Sequence, residues 1–189
     1  VLAKACDVTF SRVDSDACMS TNDTVIAMAS GACGISLTGD ELTDALTKLC
    51  AILARQLVAD AEGSRHDVKV AVTGATSTEA AVAVAREVTR SNLVKTAVAG
   101  NDPNWGRILA AVGCVREDVA PFDPDQVDVS INGIRVCKAG GIGEDRNLVD
   151  MGPREVHIDI ELHAGHAEAA VWTNDLTHQY VEENSAYTS

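Results

Sequence analysis

The chain has 189 residues, of which 28 are acidic and 15 basic, giving a formal net charge of −13. The basic residues are scattered singly, which excludes the clustered positive surface that nucleic acid or an anionic membrane requires, and no stretch reaches the roughly 18–20 apolar residues that span a bilayer. Hydrophobic residues make up 46% and aromatics only 3%, so the composition predicts a packed core of Ala, Val, Leu and Ile in one domain or one with a small appendage.

In chain order, the opening VLAKACDVTFSR has no cationic region followed by an apolar one, so no signal peptide is expected, and an initiator Met is missing. Residues 24–30 (TVIAMAS) read as a buried strand. Thr38-Gly39-Asp40-Glu41 has the T-x-x-E form of a capping box. Leu42, Leu46, Leu49, Leu53 and Leu57 then mark one face of a long helix ending near Glu62-Gly63. Residues 69–73 (KVAVT) predict a strand, and the box Thr76-Ser77-Thr78-Glu79 opens an Ala- and Val-rich helix to about Arg90. Asp102-Pro103 predicts a helix start, with Asp as N-cap, running to about Val115. Residues 127–136 suit a hairpin turning at Asn132-Gly133. Val156, Ile158, Ile160 and Leu162 alternate with polar residues as in a half-buried strand, and Ala164-Gly165 turns the chain into a partner strand at 166–172. Asp175 is placed to cap a last helix through about Ser185. The fold class is mixed α/β with substantial antiparallel sheet, divided at about residue 116 into an α/β part and a smaller C-terminal α+β part, 117–189.

Six widely spaced cysteines without a C-x-x-C predict reduced, mostly buried thiols in a reducing compartment such as the cytoplasm. Gly140-Gly141-Ile142-Gly143 lacks the spacing and the Lys-Ser/Thr of phosphate loops and reads as a surface turn. His157 and His163 share a strand face but stand roughly 20 Å apart at 3.3 Å per residue, too far to ligate one ion, so no metal site is expected there. No Ser-His-Asp order, G-x-S-x-G elbow or activated Cys context is present. Two segments stand out. Residues 100–107 (GNDPNWGR) form a small, amide-rich helix entry, either an anion site or a rigid capped turn over Trp105. Residues 175–189 (DLTHQYVEENSAYTS) keep helical signals and aromatics almost to the end, which suggests a tail that docks.

These segments, with Ser20-Thr21-Asn22-Asp23-Thr24 and Asp60-Ala61-Glu62-Gly63, resemble the glutamate N-acetyltransferase/ornithine acetyltransferase family of arginine biosynthesis, in order and spacing across essentially the whole chain. The resemblance implies a layered αββα-type sandwich, completed by a separate α chain cleaved from the same precursor. It implies acetyl transfer from N2-acetyl-L-ornithine to L-glutamate through an acetyl ester on the N-terminal Thr of the β chain, with two α-chain threonines stabilising the oxyanion. Acetyl-CoA is a second donor in the bifunctional members. VLAKACDVTFSR is similar to the helix that follows the nucleophile, so the catalytic Thr is expected upstream of Val1 and none in this chain. Substrate-binding roles carry over to Glu62, Asn184 and Ser189. The expected partners are the α chain, in an α2β2 assembly, and small amino-acid substrates; no metal or organic cofactor, nucleic acid or membrane is implied. Two other classes stay open: a non-catalytic subunit derived from the family, and an N-terminal-nucleophile aminopeptidase of related architecture.

Overall fold

Val68, Val70 and Val72 alternate along β1 (Asp67–Ala75) and are almost wholly removed from solvent, the pattern of a central strand. The computed structural model, which describes residues 1–186, places that strand inside one six-stranded mixed sheet of order β4-β3-β2-β5-β1-β6. The remaining strands are β2 (Asp128–Ile131), β3 (Ile134–Lys138), β4 (Gly141–Ile142), β5 (Glu155–Glu161) and β6 (Ala167–Asn174). Among the strands of the described residues β1 and β5 run parallel and every other neighbouring pair is antiparallel. The mixed α/β class expected from the sequence is therefore the class observed, and the sheet draws strands from both sides of residue 116.

One sheet face carries the core. Val129, Ile131, Val156, Ile158, Ile160 and Val171 stand with the β1 valines against α3 (Thr78–Arg90) and α5 (Trp105–Val112). Ala80, Ala81, Val84, Ala85 and Val88 of α3 are small or β-branched, so the helix seats close to β1 and β6. Each fully buried Val or Ile contributes about 1.5–3 kcal/mol relative to exposure, which makes this aliphatic layer the main source of stability. The opposite face is polar, with Thr73, Asp128, Ser130, Asp159, Glu161 and His163 around an open cleft. Among the described residues no three His, Cys, Asp or Glu side chains gather to hold a metal, and no helix is long and apolar enough to cross a membrane.

Several local expectations shift. The paired strands anticipated at 155–163 and 166–172 both form, yet β1 lies between them, with its backbone N–H and C=O groups paired on both edges and its valine row central under α3. An unanticipated α4 (Asn92–Ala99), capped by Ser91, precedes residues 100–107. The caps move inward as well. Ser77 rather than Thr76 caps α3, and Asn104 rather than Asp102 caps α5, because the Asp102 carboxylate accepts from Asn104 Nδ2 at 2.9 Å. Of the cysteines only Cys50 and Cys137 are buried; Cys18, Cys33 and Cys114 are exposed.

Residues 24–30 form no strand: Ile26 and Met28 are exposed, and among the described residues no strand runs beside them to take their N–H and C=O groups. The long helix does form, as α2 (Gly39–Ala59), packed beside the short α1 (Leu2–Asp7), but it closes at Asp60 before Glu62-Gly63. It turns Cys50, Ala54 and Val58 inward, whereas Leu49, Leu53 and Leu57 remain 52%, 42% and 60% exposed. Its Arg55 guanidinium stacks 3.3 Å above the Trp172 ring and bonds Glu155 Oε2 at 2.6 Å, fixing α2 across the end of β6.

The capping box at its start is complete: Thr38 N donates to Glu41 Oε2 at 2.8 Å, and Glu41 N donates to Thr38 Oγ1 at 3.3 Å. The Thr38 N–H, then its hydroxyl, hold the Glu41 carboxyl below its ordinary pKa. A carboxylate favoured by folding stabilises above its unfolded pKa, roughly 4.3, and ceases to as the pH falls through the lower folded value. The first turn of α2 is expected to loosen only as the pH falls below the free-Glu pKa, read as a Thr38 amide shift with its midpoint below that value.

Candidate functional site

Where α2 stops, the chain makes a short turn at 61–63 before entering β1. Gly63 permits it, with φ +62°, and a Cβ there would stand only 2.3 Å from Tyr180 N and 2.7 Å from Gln179 C. Both the left-handed backbone and the close approach demand glycine. The turn is thereby seated on the first turn of α6 (His178–Ser185).

A polar tetrapeptide at the end of β6 holds this junction. Asn174 Nδ2 donates to Val58 O at 2.7 Å and to Ser64 Oγ at 2.9 Å, while its Oδ1 accepts from Ser15 Oγ at 2.8 Å. Asp175 is 2% exposed. Its Oδ1 accepts the backbone N–H groups of Arg65 and His66 at 2.9 and 3.0 Å, and its Oδ2 lies 2.8 Å from His66 Nδ1. Asp175 therefore does not cap α6. Thr177 does, accepting from Tyr180 N at 3.1 Å, and the same hydroxyl donates to Gly63 O at 2.7 Å.

Behind the tetrapeptide, Lys95 of α4 is buried and donates from Nζ to Ser15 O. Burial lowers its pKa, and the carboxylates of Asp16, Asp14 and Asp175 partly oppose that shift. Arg90 Nε, at the end of α3, pairs with Asp14 Oδ2 at 2.7 Å and ties that helix into a knot of residues 14–16, α4 and the end of β6. Sequence reading missed His66 and Lys95 and took Asp175 for a helix cap. The available signal was the strand-to-helix junction Asn174-Asp175-Leu176-Thr177, in which Thr rather than Asp sits at the capping position.

Glu62 and Asn184 both have exposed side chains, one on the 61–63 turn and one on α6. Asn184 Nδ2 donates to Tyr180 O at 2.9 Å, so it lies one helical turn beyond the residue against which Gly63 rests. The structure thus brings together the two segments that bear them. Ser189 lies outside the described residues. Residues 100–107 form the rigid capped turn: Gly100 N bonds Thr96 O and Ala97 O at 3.1 Å, Asp102 N bonds Ala97 O at 2.8 Å, and Trp105 packs on the core.

The match to the ArgJ family model covers residues 1–189. The chain belongs to the ArgJ family. It is 54% identical to the arginine biosynthesis bifunctional protein ArgJ of Bifidobacterium longum over 189 residues, which is 100% of this chain and 48% of that protein. The ArgJ protein of Thermobifida fusca is 50% identical over 189 residues, again all of this chain and 49% of the relative. The chain therefore spans about half the length of the curated relatives it matches. The crystal structure of arginine biosynthesis bifunctional protein ArgJ from Bacillus halodurans superposes with a TM-score of 0.90 at 33% identity, covering 98% of this chain and 91% of that one.

Proposed function

We propose that this chain is one half of a two-chain acetyltransferase that moves the acetyl group of N2-acetyl-L-ornithine to L-glutamate, working in the cytoplasm as an α2β2 assembly. The observation that carries the reading is the whole-length family match. The lengths support two chains: this one spans 48% of the Bifidobacterium longum protein but 91% of the solved Bacillus halodurans chain.

In this reading the nucleophilic Thr precedes Val1. Its Oγ attacks the acetyl carbonyl, its own α-amine takes the hydroxyl proton, and ornithine leaves with that proton on its nitrogen. The glutamate amine then attacks the acetyl ester, which releases N-acetylglutamate and restores the hydroxyl. Covalent catalysis divides one difficult transfer into two, and oxyanion donors from the complementary chain lower both barriers. This chain supplies recognition. The exposed Glu62 carboxylate pairs with the side-chain ammonium of ornithine, and the Asn184 amide offers a donor and an acceptor to an amino-acid head group. The family resemblance assigns Ser189 a substrate-binding role beside them. Seating of the 61–63 turn on α6 supports their convergence, although 122 positions separate Glu62 from Asn184.

The test is to produce this sequence with the remaining half of the family protein and assay glutamate acetylation from acetylornithine and from acetyl-CoA separately. Transfer from acetylornithine, with release of ornithine in equal amount, is expected. Hydrolysis of peptide amides, with no acetyl transfer to glutamate, would replace this reading with an aminopeptidase. Activity with acetyl-CoA as well would identify the bifunctional version.

A further inference from the structure

We propose that Asp175, acting with Asn174 and Thr177, is the positioning device of the amino-acid pocket: it holds the turn bearing Glu62 in fixed register with the helix bearing Asn184. The inference rests on the reading of Glu62 and Asn184 as substrate contacts. Asp175 has a side chain wholly removed from solvent, and burying a carboxylate is expensive unless it is paired and hydrogen-bonded. A neutral, well-packed side chain would serve stability as well or better. What the carboxylate provides instead is direction. Its two oxygens fix the N–H groups of Arg65 and His66 and the His66 ring, three groups on the segment that leaves the Glu62 turn.

That segment needs such tethers because residues 60–66 belong to no helix or strand. The turn therefore has no ladder of its own to set its position, and side chains 174–177 substitute for one. Asn174 ties its two ends, at Val58 O and Ser64 Oγ. Thr177 ties the middle, and one oxygen atom performs two tasks. It receives Tyr180 N, which starts α6, and it donates to Gly63 O, which carries the turn. The helix and the turn thus share a single hydroxyl and move together. The His66 ring extends the clamp to a third segment, with Nε2 at 3.3 Å from Met151 O. A substrate gripped from two elements is sensitive to their register, since a misplacement of about 1 Å can cost roughly 100-fold. None of these three side chains is exposed enough to contact substrate, which makes them positioning residues rather than catalytic ones.

The experiment uses the complete two-chain enzyme with Asp175→Ala, Asp175→Asn, Thr177→Val and, as a control, Glu62→Gln. The readouts are kcat and KM for acetylornithine and amide hydrogen exchange across 61–66. Asp175→Ala is expected to raise KM at least about tenfold with kcat within about threefold, the pattern of lost binding. Exchange at 63–66 should rise while β1 stays protected. Asp175→Asn keeps an acceptor for the two N–H groups but loses the anionic partner of His66, so it should fall between wild type and Ala. Thr177→Val should act in the same direction. If Asp175→Ala does not fold, the Asn and Val variants decide, and wild-type KM in both overturns the proposal. An increase in KM for Glu62→Gln with none for the clamp variants overturns the clamp alone. Wild-type KM for Glu62→Gln overturns the pocket reading beneath it.

Discussion

Glu62→Gln in the complete enzyme is expected to lower kcat/KM for acetylornithine about 10- to 100-fold while leaving the fold intact. Glu62 stands on an exposed turn outside the core, so its replacement by an isosteric amide removes charge without opening a cavity. A hydrogen bond to a charged partner is worth about 1.5–3 kcal/mol, and each 1.4 kcal/mol is a factor of ten. The loss should fall mainly on KM if the ornithine ammonium is held equally in ground and transition states. A donor lacking that ammonium, N2-acetylnorvaline, isolates the contact. Wild type should use it poorly, and the Gln variant should show no further loss. Equal losses on both donors would place Glu62 away from the ammonium and assign it a different role.

What the sequence disclosed and what it concealed divide by distance along the chain. The α2 capping box closes over three residues, and the Asn132-Gly133 hairpin needs only two consecutive positive φ values, observed at 47° and 83°. Such features are written into neighbouring residues and could be read directly. The insertion of β1 between β5 and β6 is set by which edge offers the best apolar row, a matter between segments some 90 residues apart. The role of Asp175 was concealed for the same reason: its partner His66 is 109 positions away, and locally it imitates a helix cap. Glu62 and Asn184 carry no physical signature of their own, being ordinary exposed polar residues. They became candidates only through resemblance, and Gly63, whose absent side chain lets two segments touch, is the feature that gives them a common location.

The exposed leucines of α2 lead to the other large effect. The first three turns of α2 bury almost nothing and cannot owe their stability to packing within this chain. Its stripe of Leu49, Leu53 and Leu57, with Ile52 beside it, exposes apolar surface of the kind that marks an interface. In the two-chain reading the complementary half covers it. Leu49→Asp with Leu53→Asp should leave the isolated chain unchanged in circular dichroism and thermal midpoint, because neither side chain enters its core. Association with the complementary half should weaken by at least about 100-fold. Burying two leucines contributes about 3–6 kcal/mol, and each introduced carboxylate adds the cost of an unpaired charge at a dry surface. The inward-facing Ala54→Asp should do the reverse, unfolding the isolated chain by forcing a charge against β6. If the double variant assembles and turns over normally, α2 faces solvent in the mature protein, and the complementary half must cover the polar sheet face instead.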